Sequence, residues 1–321
     1  MLDKHALEVA PPGPGFYNRI FVVQKANGKW RPVIDLSTLN RFVTLTPFRM
    51  ETNVSVLNAI RRDDWMVLVD LKDAYFQVPI HPASRKFLRF QWGTKTYQFR
   101  VLAFGLSTAP QVFTRVMAPV SAILHQKGIR LLRYLDDWLV LATSESEAVK
   151  ARDTVLDLCR TLGIVVNYEK SSLIPRQSAE YLGMRIDSPS LRAFPTAKRV
   201  DNLTSLVDMF LSSSSPPAIT WLRLLGPLTS LCLLVPGGRR RMRSLQFTLH
   251  RSWSRERQPK DFPVEWNAEI VTDLHWWKDR QHLLQGKDLR PQFPEVLLHT
   301  DASDLGLGAT TANLNSLGLW P

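Results

Sequence analysis

Two aspartates, Asp136 and Asp137, interrupt an apolar run that extends from Leu131 to Leu141. An ionised carboxylate in such surroundings is costly unless it is paired or binds a metal. The flanks read as strands, which puts the pair between them. Solvated acids at a hairpin tip are the plain explanation, yet hairpin turns recruit Gly or Asn, and Tyr134-Leu135-Asp136-Asp137-Trp138 has neither. This segment alone leaves the two readings balanced. A third acid, Asp70, ends the run Met66–Val69, which reads as a buried strand. Two strands that each deliver a carboxylate to one point can hold two divalent ions about 3.5–4 Å apart. Hard oxygen ligands favour Mg²⁺, with Mn²⁺ as the alternative, over zinc.

Composition excludes several classes. With 45% hydrophobic and 22% charged residues the 321-residue chain is neither disordered nor collagenous. Its two cysteines, Cys159 and Cys232, build no disulfide framework and form no CxxC pair. The longest apolar stretch, Ile219 to Val235, is interrupted by Arg223 and Gly226-Pro227. A membrane span needs about 20 largely uncharged residues, so this stretch reads as a buried helix pair and no membrane partner is expected. The net charge of +12 is uneven: +8 over residues 1–187, +9 over 188–260 and −5 over 261–321. Arg239, Arg240, Arg241 and Arg243 cluster in the middle segment, as suits a phosphate backbone, although an isolated cluster is more often a solvated face.

Along the chain, Ile20–Val23 and Trp30–Ile34 flank Asn27-Gly28 as a hairpin, and Phe87–Trp92 and Thr96–Val101 form a second one turning at Gly93-Thr94. Thr108–Leu124 has helical spacing with Val112, Val116, Val120 and Ile123 on one side. Glu145–Leu162 is an amphipathic helix ended by Gly163, Ile164–Val166 a strand, and Tyr181–Ile186 another. Pro195–Leu211 and Ile219–Leu234 read as helices joined by the linker Ser212–Pro217. At near-helical spacing, Trp253, Trp266, Trp276 and Trp277 are better core than base-stacking platforms. Val296–Thr300 is a last strand leading into Asp301. The whole reads as an α+β core, a basic helical segment and a short β start.

These residues carry a family resemblance. Tyr134-Leu135-Asp136-Asp137 resembles the YxDD box of reverse transcriptases, and Asp70-Leu71-Lys72-Asp73-Ala74-Tyr75-Phe76 resembles their first catalytic motif. Phe104-Gly105-Leu106-Ser107-Thr108-Ala109-Pro110 resembles the template- and nucleotide-positioning motif in its LTR-retrotransposon form. Arg31-Pro32-Val33-Ile34-Asp35 through Asn40 is similar to the fingers motif. Leu162-Gly163 with Lys170, and Tyr181-Leu182-Gly183, resemble the leaving-group lysine motif and the primer grip. His299-Thr300-Asp301 resembles the opening strand of a tethered RNase H domain, and the middle of the chain is similar to DIRS-like elements.

The resemblance implies a right-hand polymerase: fingers and palm over 1–187 with an antiparallel palm sheet, a helical thumb over 188–260, a connection over 261–294 and a truncated RNase H-like start over 295–321. Asp70 and Asp136, with the Leu71 carbonyl, would hold the metals, and Asp137 would be a second acid of the pair. One ion would activate a primer 3′-hydroxyl and the other would stabilise the departing pyrophosphate. Tyr75 would lie beneath the incoming sugar and exclude a 2′-hydroxyl, which favours dNTPs. Arg31 would clamp the triphosphate, with Lys25 helping. Gly105 would admit close backbone approach. Phe104 stands where retroviral enzymes carry glutamine. Lys170 would protonate the leaving group. Tyr181, Leu182 and Gly183 would grip the primer, and the arginines at 239–241 and 243 the template–primer duplex. Asp301 and Asp304 alone cannot furnish an RNase H site, so the chain reads as a polyprotein fragment or a truncated copy. Its remaining partners would be RNA template, DNA primer and the rest of the polyprotein: RNase H, and an integrase or tyrosine recombinase. The alternative is a decayed copy that binds nucleic acid without catalysis. The compartment, cytoplasmic particle or nucleus, is left open.

Overall fold

A computed structural model describes residues 1–2, 4–24, 28, 30–290 and 296–320, the Arg31 side chain excepted. The chain divides into two units, Met1–Asp288 and Leu289–Pro321.

In the first unit, β1 (Leu7–Val9) is followed by β2 (Arg19–Gln24) and β3 (Trp30–Asp35), which pair antiparallel from Arg19↔Asp35 to Gln24↔Trp30. Residues 25–27 and 29 of the expected turn lie outside the described residues. The apolar strand β4 (Trp65–Asp70) comes next, then β5 (Arg89–Trp92) and β6 (Lys95–Phe99). The β5–β6 turn is Gly93-Thr94 as expected, with Gly93 at φ +60, and β6 also pairs with β1.

Helix α1 (Ala109–Gln126) begins with Pro110 in its first turn, where a missing N–H is harmless. Its inward stripe is Ala109, Phe113, Met117, Val120 and Leu124, so Val116 and Ile123 of the expected face point to solvent. The i, i+4 series starting at Ala109 fits the palm sheet better because it carries Phe113 and Met117 into the core. Strands β7 (Arg130–Tyr134) and β8 (Asp137–Ala142) form a hairpin whose turn is Leu135-Asp136 alone, with Asp137 already in the ladder. Helix α2 (Glu145–Thr161) is capped by Ser144, whose hydroxyl accepts from the Glu147 N–H, and it ends at Gly163 with φ +71.

The central sheet has the order β7–β8–β4–β9, where β9 is Ser172–Arg176. Sequence reading misses β9 because Pro175 suggests a break, yet Pro is tolerated on an edge strand. The expected strand Ile164–Val166 reduces to one bridge between Val166 and Leu71. α1 and α2 close one face of the sheet with Phe113, Leu124, Val155 and Cys159, against Val67, Val69, Trp138 and Val140.

β10 (Ser178–Tyr181), β11 (Met184–Asp187) and β12 (Arg192–Pro195) form a meander, so the expected single strand at 181–186 is a hairpin turning at Leu182-Gly183. A domain boundary at 187/188 would fall inside this sheet. β13 (Lys287–Asp288) returns to pair with β12. Between them, α3 (Ala197–Leu211), α4 (Ala218–Leu231), α5 (Arg243–Ser252) and α6 (Ala268–Lys278) share one core built on Phe210, Trp221, Leu228, Leu245, Leu274 and Trp277. Residues assigned to thumb and connection are therefore one helical body, because Trp253, Trp266, Trp276 and Trp277 turn inward. α4 runs through Gly226-Pro227 rather than breaking into a pair. Among the described residues no helix is long and apolar enough to cross a membrane.

The second unit is a three-stranded antiparallel sheet of β14 (His299–Ala302), β15 (Gly306–Thr310) and β16 (Asn315–Leu319). Asp301 is exposed on β14 opposite Gly308. The 294/295 boundary expected here lies outside the described residues.

One buried ion pair lies just before the start of β4. Asp64 is 1% exposed and accepts two hydrogen bonds from Arg130, at 2.7 and 3.0 Å, and one from the Arg61 N–H. Arg130→Ala leaves a buried carboxylate without its cation and is expected to cost about 3–5 kcal/mol, read as a lowered urea midpoint for the palm.

Candidate active site

The ladder between β4 and β8 sets Asp70 directly opposite Asp137, and residues opposed in this way project from one face of a sheet. Asp136 precedes them in the two-residue turn. The first turn residue, Leu135, has φ +54, a conformation that costs an L-residue roughly 1–2 kcal/mol. Two hydrogen bonds hold it there: the buried Trp138 indole donates to the Leu135 carbonyl at 3.1 Å, and the Leu71 N–H donates to the Asp136 carbonyl at 2.9 Å. A side chain rather than a glycine therefore shapes this turn. The absence of Gly or Asn from the segment is met by strain that the surrounding contacts offset.

Burial raises the Asp136 carboxyl above its usual range, the charge of Asp70 raises it further, and Lys170 partly offsets both. Burial, then Asp136, then Asp70 push Asp137 up to about 6, again against Lys170. Three acids and a lysine thus feel one another at the end of the sheet. Such a group calls for added positive charge.

Asp70, Leu71, Phe104, Asp136 and Lys170 line one cleft of about 670 Å³. The Lys170 loop is tied to the end of β4, since the Asn167 N–H donates to the Asp70 carbonyl at 2.8 Å and the Asp70 N–H donates to the Ser171 hydroxyl at 3.0 Å. The Gln77 amide bridges the Lys72 and Val165 carbonyls and accepts from the Val165 N–H. Among the described residues no three His, Cys, Asp or Glu side chains close on one point as a metal site. The donor set is two carboxylates with a main-chain carbonyl nearby. That fits Mg²⁺, which binds through one or two carboxylates and completes its shell with water and substrate phosphate oxygens.

Sequence reading misses Lys4, Trp30, Lys72 and Asp73 in this cleft. Lys4 pairs with Asp73 at 2.5 Å across 69 positions, and no local pattern signals that. Tyr75 does not line the cleft. Its ring is 9% exposed and packs on Phe104 (4.9 Å between centroids) and Phe113 (5.7 Å), while burial raises its phenol pKa, with Asp136 adding to the shift. Gly105 lies in an adjoining apolar pocket with φ +94, and an added Cβ would sit 3.4 Å from the Ile34 carbonyl. The Asn40 amide clamps this loop, donating to the Gly105 carbonyl and accepting from the Ser107 N–H, both at 2.9 Å. Arg31 lies in β3, and Lys25 lies outside the described residues.

Tyr181 is 4% exposed, and its hydroxyl donates to the Asp137 carbonyl at 2.9 Å. It stands behind the catalytic strand, whereas the tip Leu182-Gly183 reaches the surface with both residues at positive φ. The arginine cluster divides in a similar way. Arg239, Arg240 and Arg243 are exposed, but Arg241 pairs with Asp273 at 3.1 Å and lies over Trp276, so it is occupied in holding the helical body together.

The fold and site together define a polymerase palm. The family described as "Reverse transcriptase (RNA-dependent DNA polymerase)" matches residues 23–186, and the chain belongs to it. The Gag-Pol polyprotein of Rous sarcoma virus subgroup B (strain Schmidt-Ruppin) is 28% identical over 179 residues, covering 53% of this chain and 11% of that protein. The foamy viral protease-reverse transcriptase bound to ds DNA superposes with a TM-score of 0.76 at 19% identity, over all of this chain and 54% of that one. The same protein with an RNA/DNA hybrid gives 0.73 at 20% identity, over all of this chain and 41% of that one. The chain thus spans about a tenth of the viral polyprotein and about half of the structural neighbour. The α+β polymerase fold is shared.

The raised Asp137 pKa has a sign. Between its usual 3.8 and about 6 the native protein holds more protons than the unfolded chain, so stability present below that window is lost as pH rises through it. Metal-free protein is expected to melt higher at pH 5 than at pH 7.5, and Asp137→Asn to shrink that difference, as read by calorimetry in chelator.

Proposed function

We propose that this chain is the RNA-directed DNA polymerase of a retroelement, extending a primer 3′-hydroxyl with dNTPs on an RNA or DNA template. The observation that carries the reading is the meeting of Asp70, Asp136 and Lys170 around one cleft in a chain of this family. The duplexes bound by the structural neighbour support a template–primer as partner.

In the reaction the primer 3′-hydroxyl gives up its proton to water, its oxygen forms a bond to the α-phosphorus, and the α–β bridging bond breaks, releasing pyrophosphate. Asp70 and Asp136, with the Leu71 carbonyl, would hold two Mg²⁺ ions. When bound, these supply acidity to the 3′-hydroxyl and charge to the departing phosphates. Asp137, raised by burial and then by the two acids beside it, would add negative potential to the metal-holding site. Lys170 supplies a proton to the pyrophosphate, held at that depth by its hydrogen-bonded loop. Tyr75 backs the steric gate. It lies behind Phe104, a wall of the cleft, and its ring, wedged between Phe104 and Phe113, keeps that wall from yielding to a 2′-hydroxyl. Arg31 would receive the triphosphate with Lys25 helping, as the motif resemblance implies, Phe104 and Gly105 border the nucleotide, and the Leu182-Gly183 tip meets the primer. Arg239, Arg240 and Arg243 face the duplex backbone and make binding salt-sensitive and indifferent to sequence. Asp301 belongs to the RNase H-like start and takes no part in synthesis.

Primer extension on an RNA template with Mg²⁺ tests this. The parent is expected to extend with dNTPs, Asp136→Asn to lose at least about 10²-fold in rate, and EDTA to abolish synthesis while binding persists. Tyr75→Ala is expected to raise ribonucleotide incorporation by about tenfold or more. An extension rate unchanged in Asp136→Asn would sink the assignment.

A further inference from the structure

We propose that Arg199 is a positioning residue whose guanidinium ties the Leu182-Gly183 turn to helix α4 and so fixes the hairpin tip relative to Asp137. The inference rests on the polymerase reading above and adds to it the group that holds the primer-facing turn.

Arg199 lies in the first turn of α3, and its guanidinium forks between two elements. Nη1 donates to the Gly183 carbonyl at 2.9 Å, and Nη2 donates to the Ser230 hydroxyl at 2.6 Å. Ser230 sits near the end of α4, and its own hydroxyl donates to the Pro227 carbonyl at 3.0 Å. The side-chain stem also packs against the turn, since a Cβ added to Gly183 would lie 3.2 Å from Arg199 Cδ. Both turn residues have positive φ, Leu182 at +47 and Gly183 at +74, the pattern of a type I′ hairpin. A leucine in that region is strained, so the turn needs an outside hold to stay populated.

The other end of the hairpin is held at the catalytic strand by Tyr181, whose hydroxyl donates to the Asp137 carbonyl. A continuous series of contacts therefore runs from α4 through Arg199 to Gly183, and from Tyr181 to the third acid of the cluster. Neither recorded partner of Arg199 is an acid, and the side chain is half-buried, which lowers its pKa. An arginine kept mainly for solubility would stay hydrated. This one is half-buried and directs two of its nitrogens to neutral acceptors on different elements, an arrangement that uses its planar fork. Lysine offers a single nitrogen and cannot span both acceptors in the same geometry. Gly183 at the turn tip is exposed while Tyr181 at the base of the hairpin is buried, so the tip is open to a nucleic acid strand and its base is fixed.

The test compares the full chain with Arg199→Ala, Arg199→Lys and Ser230→Ala, using an RNA-template/DNA-primer duplex, dNTPs and Mg²⁺. Misplacement of the reacting end lowers turnover more than affinity. Arg199→Ala is expected to lose about tenfold in kcat, with KM for dNTP within about twofold and duplex Kd within about threefold. Arg199→Lys and Ser230→Ala should fall between it and the parent. Amide exchange is measured alongside, and Arg199→Ala should speed exchange across residues 182–187 while leaving α2 at parental rates. An unchanged kcat overturns the proposal, as does a loss in which KM, Kd and melting temperature all shift together. Exchange unaltered at 182–187 overturns it too. If the parent itself does not extend primers, the polymerase reading fails, and the exchange measurement alone decides whether Arg199 holds the turn.

Discussion

Asp70 and Asp137 are opposed in the β4/β8 ladder and Asp136 precedes them in the turn, so three carboxylates share one end of the palm sheet. The rest of the structure accommodates that repulsion. The sheet behind it is filled by Val67, Val69, Trp138 and Val140 against α1 and α2, which supply hydrophobic stabilisation but no counter-charge. Positive charge comes instead from Lys170, on a loop hydrogen-bonded to both the carbonyl and the N–H of Asp70. The strain at Leu135 belongs to the same arrangement. A relaxed glycine turn would let Asp136 wander, whereas a left-handed leucine fixed by Trp138 and Leu71 aims it into the cleft.

Rigidity extends outward from this point in two directions. In one direction, Tyr75 is packed by Phe104 and Phe113, and the Phe104–Ser107 loop is held by Asn40. In the other, Tyr181 reaches the Asp137 carbonyl, and Arg199 holds the far end of that hairpin to the helical body. Three of these links, at Gly105, Asp137 and Gly183, are main-chain carbonyls held by a side chain from elsewhere in the sequence. Such bonds fix backbone position without depending on which nucleotide is present.

The basic segment shows how function and packing compete for one residue type. Four arginines within five positions look like a phosphate-binding strip, yet Arg241 is taken by Asp273 and Trp276 to seat α6 against the preceding helices. Its three neighbours stay exposed because a short 3₁₀ segment, Arg240–Met242, turns them away from Met242, which is buried. The same competition places Trp277 and Trp221 at the centre of the helical core.

The sequence by itself determined the chemistry. An acid ending an apolar strand, an acid pair in a second apolar run, and the motifs around Tyr75, Gly105 and Lys170 are local in the chain, and local spacing carries which residue types meet which periodicity. It also determined the first hairpin, the capped α2 helix and the inward tryptophans. Tertiary structure decided what depends on contacts between distant residues: that Pro175 sits on an edge strand, that α1 turns Phe113 rather than Val116 inward, and that the Tyr181 hydroxyl meets the Asp137 carbonyl. It also decided that Lys4 meets Asp73 and that Arg199 meets Gly183. Sequence separation has no influence on the energy of such contacts once the chain is folded. Only the packing of sheet against helix selects them, and no window of neighbouring residues records that selection.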